Sequence, residues 1–309
     1  MKEAMLYTSL EDKNVKCALC AHRCLMDPIE KKPLFHVLPG SLSYSVATVG
    51  CNFKCSFCQN ADISQMPSDM KRITGHDVAP ATLVEDALEN RCRSIAYTYT
   101  EPTIYFEYAY DTAVLAEKND LLNVFVSNGY MTGECLDTIG STLHAANVDL
   151  KSFRDEYYKS LCKARLQPVL DTLKKMKEMG IWIEVTTLLI PGENDSEQEL
   201  RDIARFLADL GSEIPWHISR FYPQYRYLSS GPTPSKTVQK ARDIGFQEGL
   251  RFVYTGNLPG DEGEKTVCPS CGKTVIDRSG YRIFGINLSQ GSCSFCGETI
   301  EGIFDPTSL

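Results

Sequence analysis

The chain has 309 residues, 43% of them hydrophobic and 23% charged, enough apolar material for one large domain with an appendage or for two modest ones. Carboxylates outnumber basic side chains 40 to 32, and the resulting charge of −8 argues against a phosphate-backbone partner such as nucleic acid. No run of about 18 apolar residues is available to span a bilayer, and the opening MKEAMLYTSLEDK lacks the charged start and apolar middle of a signal peptide, so a cytoplasmic protein with no membrane partner is expected.

From about residue 42 the pattern alternates. β-rich runs at 42–48, 94–99, 122–127, 148–151, 181–190, 215–221 and 250–255 are separated by helical patterns at 81–91, 103–118, 133–146, 167–179, 196–210 and 235–248. Ser196 with Glu199 reads as a capping box, and Gly180 stands where a helix C-terminal glycine belongs. Such alternation predicts an α/β protein with a parallel sheet, either open and doubly wound or a full or partial barrel, with chemistry at the carboxyl ends of the strands. After Gly256 the alternation stops; GNLPGDEGE reads as a linker into a short cysteine-rich tail.

Thirteen cysteines without a secretion signal are better read as metal ligands than as a disulfide framework, because the cytosol keeps thiols reduced. Ten fall into three groups: Cys17, Cys20 and Cys24; Cys51, Cys55 and Cys58; and Cys268, Cys271, Cys293 and Cys296. The middle group, in GCNFKCSFCQN directly after the first predicted strand, supplies three thiolates where an iron–sulfur cube takes four. One iron would keep an open coordination position, as a catalytic zinc does. The alternative is a closed structural site that takes its fourth ligand from elsewhere.

This C-x3-C-x2-C spacing, with Phe57 before the last cysteine, resembles the signature of the radical S-adenosylmethionine (SAM) superfamily. The resemblance implies a partial (β/α)6 TIM-like barrel and a [4Fe-4S] cluster that chelates SAM at its open iron. It also implies reductive cleavage to a 5′-deoxyadenosyl radical for hydrogen abstraction. Asn52 and Phe57 would shape the cluster loop and the adenine approach. In YTYTEP, Glu101 matches the acid of the family's Gly-Gly-Glu-like motif, which holds SAM's amino group, while Tyr99 and Thr100 replace the glycines. VSNGY and VDLKS resemble the third and fourth strand ends of glycyl-radical-enzyme activases such as those of pyruvate formate-lyase, with Asn128, Gly129, Asp149 and Lys151 matching. Val126 stands where those activases carry an aspartate associated with a monovalent cation, so that site is expected to be altered or absent.

WIEVTTLLIPGENDS, PWHISRFYPQYR, DPIEKKPLFH, YTGNLPG and the tail are together similar to the AmmeMemoRadiSam-system branch. From these matches Lys151 is a candidate for SAM's carboxylate or a substrate anion, His217 for the adenine side of SAM, and Thr186 and Thr187 for ribose. Cys162 is a candidate hydrogen-atom relay. Each also has a plainer reading: a helix cap for Glu101, an ion pair for Lys151 with Asp149, and core packing for His217 and Cys162.

The tail pattern CPSCG and CSFCG, with 21 residues between its inner cysteines, is a four-thiolate pair of knuckles. Zinc is the expected occupant, as a zinc-ribbon-like appendage that the metal folds. CALCAHRC offers three cysteines without a fourth, which His22 or His36 could complete. The organisation is therefore an N-terminal extension over 1–40, a radical SAM barrel over 41–258 and a metal ribbon over 259–309. A flavodoxin or ferredoxin would supply electrons, the substrate would be a protein, a peptide or a small molecule, and associated proteins of the same system are candidate partners. Glycyl-radical-enzyme activation and a non-catalytic metal-binding adaptor are the alternative functions.

Overall fold

The computed structural model describes residues 34–304, together with the backbone of four short strands at Tyr7–Ser9, Val15–Cys17, Leu25–Met26 and Ile29–Glu30. The side chains of Cys17, Cys20, Cys24 and His22 lie outside the described residues.

Seven parallel strands form one sheet in chain order: β1 (Ser43–Val46), β2 (Ser94–Tyr97), β3 (Leu122–Ser127), β4 (Ala145–Asp149), β5 (Trp182–Leu189), β6 (Trp216–Arg220) and β7 (Val253–Gly256). Ile29–Glu30 adds an antiparallel edge beside β1. A doubly wound sheet reverses its strand order at a switch point, whereas here every strand lies beside its neighbours in sequence. That order is the barrel's. Among the described residues β1 and β7 do not pair, so the barrel is partial.

Helices α1 (Pro80–Glu89), α2 (Phe106–Glu117), α3 (Gly133–Ile139), α4 (Gln167–Glu178), α5 (Glu197–Leu210) and α6 (Ser235–Gln247) make the crossovers. In α5 the buried residues Leu200, Ile203, Ala204 and Leu207 recur at helical spacing, giving the apolar stripe that meets the sheet. β3 is buried on both faces, Leu122 and Val124 on one and Asn123 and Phe125 on the other, because the sheet is covered on both sides. Among the described residues no helix is long and apolar enough to cross a membrane.

Two local expectations change. The helix expected over 133–146 stops at Ile139, and the strand expected over 148–151 begins at Ala145. Alanine favours helix in isolation, but Ala145 and Ala146 are fully buried and pair with both β3 and β5, so sheet packing decides. The capping box is half formed. Ser196 accepts from Glu199 N at 3.3 Å, but the Glu199 carboxylate turns to the β4–α4 connection, where it accepts from Ser152 Oγ, Phe153 N (2.7 Å) and Arg154 Nε (2.7 Å). Gly180, at φ +75°, follows α4 as expected.

The tail folds as β8 (Thr266–Val267), β9 (Thr274–Ser279) and β10 (Arg282–Ile286) in one antiparallel sheet, with β11 (Leu288–Ser289) and β12 (Ser292–Cys293) in another. It is built into the barrel wall. Phe252 and Tyr254 share a buried cluster with Cys268, Val275, Cys293 and Ile300, and Val37 bridges to Ile303. Arg278, 3% exposed, donates to the Phe35 carbonyl at 3.0 Å and lies 4.0 Å over the Phe35 ring.

Candidate active site

The loop after β1 is fixed by hydrogen bonds from several parts of the chain. Gly50 N reaches Ile63 O (3.0 Å), Lys54 N and Ser56 N reach Cys162 O (2.9 Å) and Leu161 O (3.0 Å), and Arg226 N donates to Ser56 O at 3.0 Å. Gln65 Nε2 donates to Phe53 O at 3.1 Å. Gly50 has φ +110°, a left-handed backbone that favours glycine at this bend.

So held, Cys51, Cys55 and Cys58 line one wall of a cavity of about 220 Å³. Phe53, Phe57, Gln59, Asn60 and Ser64 line it with them, and the ends of five further strands supply the other residues: Thr98 to Thr100 after β2, Val126 to Asn128 at β3, Asp149 and Lys151 at β4, Thr186 and Leu188 from β5, and Ser219 from β6. This is the carboxyl end of the barrel, where the fold permits chemistry. Tyr99 adopts φ +62° at a position where the family motif has glycine. The Thr100 hydroxyl is buried with no hydrogen-bond partner among the described residues.

The loop thiols are protonated when no metal is bound. Burial pushes Cys51 up to about 12 and raises Cys58, which also has Ser64 Oγ at 3.1 Å. Cys55 is raised well above the ordinary range, first by a hydrogen bond with Cys162 and then by burial. Metal binding here must therefore release protons.

The expected site residues divide. Phe57 lines the cavity and packs on Tyr157. Asn128 also lines it, donating to Asn52 Oδ1 at 2.7 Å; Asn52 itself is exposed beside the wall. Lys151 lines it with its ammonium 2.8 Å from Asp149. Burial alone would lower the Lys151 pKa, but Asp149, Cys55 and Cys162 raise it well above its ordinary value, so it stays a cation.

Glu101, Thr187 and Cys162 do not line this cavity. Glu101 is fully buried, and its two oxygens accept from Thr103 N (3.2 Å) and Oγ1 (2.9 Å), Ser127 Oγ (3.0 and 3.1 Å) and Asn128 N (2.8 Å). It ties the end of β2 to the end of β3. Burial raises its pKa, against these donors. Thr187 is buried, donating to Leu150 O (2.8 Å) and accepting from Trp216 Nε1 (2.9 Å); strand alternation gives Thr186 the cavity face instead. Cys162 is fully buried behind Cys55.

His217 faces a second cavity of about 600 Å³, lined also by Phe35, Tyr222, Asn257, Glu264 and Tyr281, which shares Thr186 and Ser219 with the first. His217 Nε2 donates to Glu184 at 2.6 Å, and its ring stacks on Tyr254. Buried Glu184 also accepts from Phe35 N (2.8 Å), His36 N (2.7 Å) and Trp182 Nε1 (3.2 Å). Burial pushes the Glu184 carboxyl up, but the hydrogen bond and charge of His217, with His36 and Phe35 N, bring it down to about 2. Nothing in the sequence singled Glu184 out, since WIEVTT reads as ordinary strand. His36 is not available to complete a metal site. Its Nδ1 donates to Glu301 O at 2.6 Å, and its Nε2 lies 2.6 Å from Tyr254 OH.

In the tail, the sulfurs of Cys268, Cys271, Cys293 and Cys296 all lie within 4.8 Å of one another, a spacing suited to one tetrahedral ion. Among the described residues the loop thiols form no group that close.

The model of the radical SAM superfamily matches residues 45–207. The chain is 41% identical to the uncharacterized protein MJ0808 of Methanocaldococcus jannaschii over 97% of its own length and 99% of that protein's. It is 20% identical to the pyruvate formate-lyase-activating enzyme of Clostridium pasteurianum over 54% of this chain and 72% of that enzyme. Streptococcus suis SuiB bound to S-adenosylmethionine has the same fold over 71% of this chain and 52% of SuiB, with a TM-score of 0.56 at 13% identity. Three thiols of one loop at the carboxyl end of a partial barrel, and a family match that spans loop and barrel together, agree: the chain belongs to the radical SAM superfamily.

Proposed function

We propose that the protein is a radical SAM enzyme that abstracts hydrogen from a substrate admitted through the larger cavity, with a [4Fe-4S] cluster on Cys51, Cys55 and Cys58. The observation that carries this is the composition of the first cavity: three thiols on one wall, no further cysteine among the described residues that line it, and in the same lining a lysine and a threonine hydroxyl with no described partner. Such a donor set fits a cluster that keeps one iron open, and thiols spread more widely than the tail group suit a cluster better than a single ion. When bound, the cluster supplies one electron and SAM supplies the hydrogen-abstracting group.

The chain's own residues would do the following. Lys151 offers a cation to SAM's carboxylate, and Asn128, through Asn52, braces the loop. Phe57, packed on Tyr157, gives the cavity an apolar face. His217, oriented by Glu184, faces incoming substrate. Zinc is the proposed tail metal, and a flavodoxin or ferredoxin the proposed electron donor. The division near residues 40 and 258, a place in the reducing cytoplasm, and membership of the AmmeMemoRadiSam-system branch belong to the same reading.

Activation of a glycyl radical enzyme is the narrower form of this proposal, supported by the activase relative and by a second cavity that could take a protein loop. The test is anaerobic: reconstitute with iron and sulfide, add dithionite and SAM, and quantify 5′-deoxyadenosine against Cys55→Ala. Cysteine-dependent product is expected. SAM that neither binds nor is cleaved when a cluster is present would favour the metal-binding adaptor.

A further inference from the structure

The larger cavity carries a chemical bias that its outline does not show. Among its described lining residues Glu264 is the one carboxylate, and there is no lysine or arginine. Three cations stand close by, each engaged elsewhere. Arg278, over the Phe35 ring, donates to Glu264 O (3.4 Å) and Phe35 O (3.0 Å). Arg220 donates to Thr233 O (2.7 Å) and Tyr222 OH (3.1 Å), and Lys265 pairs with Glu262 and Asp277.

The polar atoms left over are acceptors. One Glu264 oxygen accepts from Gly280 N at the tip of the β9–β10 hairpin, and the other has no hydrogen-bond partner among the described residues. Asn257 gives its Nδ2 to Ser219 Oγ (3.0 Å) and Arg220 O (3.3 Å). A carbonyl only accepts, so the bond to Arg220 O fixes the orientation of this amide and leaves Oδ1 over. His217 commits Nε2 to Glu184, and in the neutral ring Nδ1 is then an acceptor. The donors point away: Thr186 Oγ1 to Asn147 Oδ1 (2.8 Å), and Tyr222 OH to Asn257 O (3.3 Å). The Ser219 and Ser279 hydroxyls can serve in either sense.

Three acceptors without donors, one of them charged, suit a group that is cationic and rich in N–H. An ammonium has three donors and no acceptor, whereas a carboxylate or phosphate brings only more acceptors. We propose that the larger cavity holds the substrate by a protonated primary amine, with Glu264 as the specificity-determining residue and Asn257 Oδ1 as a second acceptor. Hydrogen bonds between ionised partners are the strong ones, so Glu264 does most of the selection. The substrate's carbon chain then runs past Thr186 and Ser219, the two residues common to both cavities, toward the thiol loop. Glu264 and the hairpin tip from Ser279 to Tyr281 belong to the tail, so the ribbon builds the wall that reads the substrate. This inference rests on the reading of the larger cavity as the substrate's entrance.

The test is anaerobic equilibrium dialysis at pH 8 of the reconstituted full chain, saturated with SAM so that the first cavity is filled. Benzylamine, benzyl alcohol and benzoate serve as probes of similar shape and different charge. Benzylamine is expected to bind about tenfold more tightly than benzyl alcohol, with benzoate weakest. Glu264→Gln keeps the size and the bond from Gly280 N; it should cost benzylamine about tenfold in affinity and change benzyl alcohol less than about twofold, a loss of selectivity that a merely structural role would not produce. Benzylamine that does not bind, that binds no better than either other probe, or that binds Glu264→Gln as well as wild type would overturn the proposal. Should that variant fail to fold, Asn257→Gly decides, because glycine suits the φ of +56° there. A loss of affinity confined to benzylamine supports the proposal, and unchanged or equally reduced affinities overturn it. A wild-type protein that never cleaves SAM would strike the hydrogen-abstraction reading, while the probe selectivity still stands or falls by itself.

Discussion

Among the described residues the chain holds two thiol centres built on opposite plans. In the tail, two knuckles bring four sulfurs within 4.8 Å of one another. In the barrel, one loop supplies three, and the polar ends of β2 to β6 face the remaining side. The tail's four sulfurs suffice to close a tetrahedron around one ion with no position left for a substrate, whereas the loop's three thiols leave one side uncommitted. The difference is also one of support. The tail knuckles are closed by local backbone bonds, Gly272 N to Cys268 O (2.9 Å) and Gly297 N to Cys293 O (2.8 Å), while the loop is held by bonds from residues as distant as Leu161, Cys162 and Arg226. A reactive centre needs its position fixed by something other than its own ligands, because the ligand set is incomplete.

The sharpest way to break this comparison is reciprocal. Cys55→Ala should lose the loop cluster and all SAM cleavage while keeping the tail metal, and Cys271→Ser should do the reverse, both read by metal analysis of purified protein. Loss of both metals in either variant would show one folding unit rather than two independent centres.

Next in size is the joint between the barrel and the 34–38 segment on which the tail rests. Glu184→Ala leaves four donors, on Phe35, His36, Trp182 and His217, without their acceptor. The expected cost is about 4 kcal/mol, with a thermal midpoint lower by roughly 10 °C, measured by calorimetry. His36, in the same joint, should make stability depend on pH. Burial, opposed by Glu184, lowers its pKa from 6.5 to about 4. The unfolded chain takes up the proton first, so the stabilisation is whole above about 6.5 and is lost as pH falls toward 4, by about 3 kcal/mol. Urea denaturation at pH 7 and pH 4.5 measures it, and a flat profile would mean that the folded state charges His36 freely.

Smaller effects should stay on the barrel side. Lys151→Met should weaken SAM binding by about ten- to hundredfold without altering the tail metal, as read by equilibrium dialysis of the reconstituted protein. Thr187→Val should cost about 1 kcal/mol, since Trp216 Nε1 loses its acceptor, and change SAM affinity less than about twofold. A large loss of SAM affinity in that variant would return Thr187 to the binding site.

The barrel and both metal patterns were legible because they are written locally, as strand and helix periods and as cysteine spacings. What escaped was written across the chain. The hydrogen-bond set of Glu184 joins residues up to 149 positions apart. Glu101 was legible as an acid at the end of β2 but not as a tie to Ser127 and Asn128, because that depends on which strand lies beside it. The misplaced boundary near Ala145 has the same origin, since alanine takes its conformation from its neighbours in the sheet. Cys162 looked like a lone cysteine because the turn that carries it meets the loop only in space.

Arg278, which grips Phe35 across 243 residues, and the bridge between Val37 and Ile303 bear on how the molecule is made. Contacts of such sequence separation form slowly, because a long loop must close before they return any energy. During translation the segment at 34–38 emerges early, and its contacts with Arg278 and Ile303 form only once the tail has been made. Leu34 and Val37 can thus settle on Ala96, Leu122, Val124 and Ala145 while the barrel is being made, and Ile303 closes over them last.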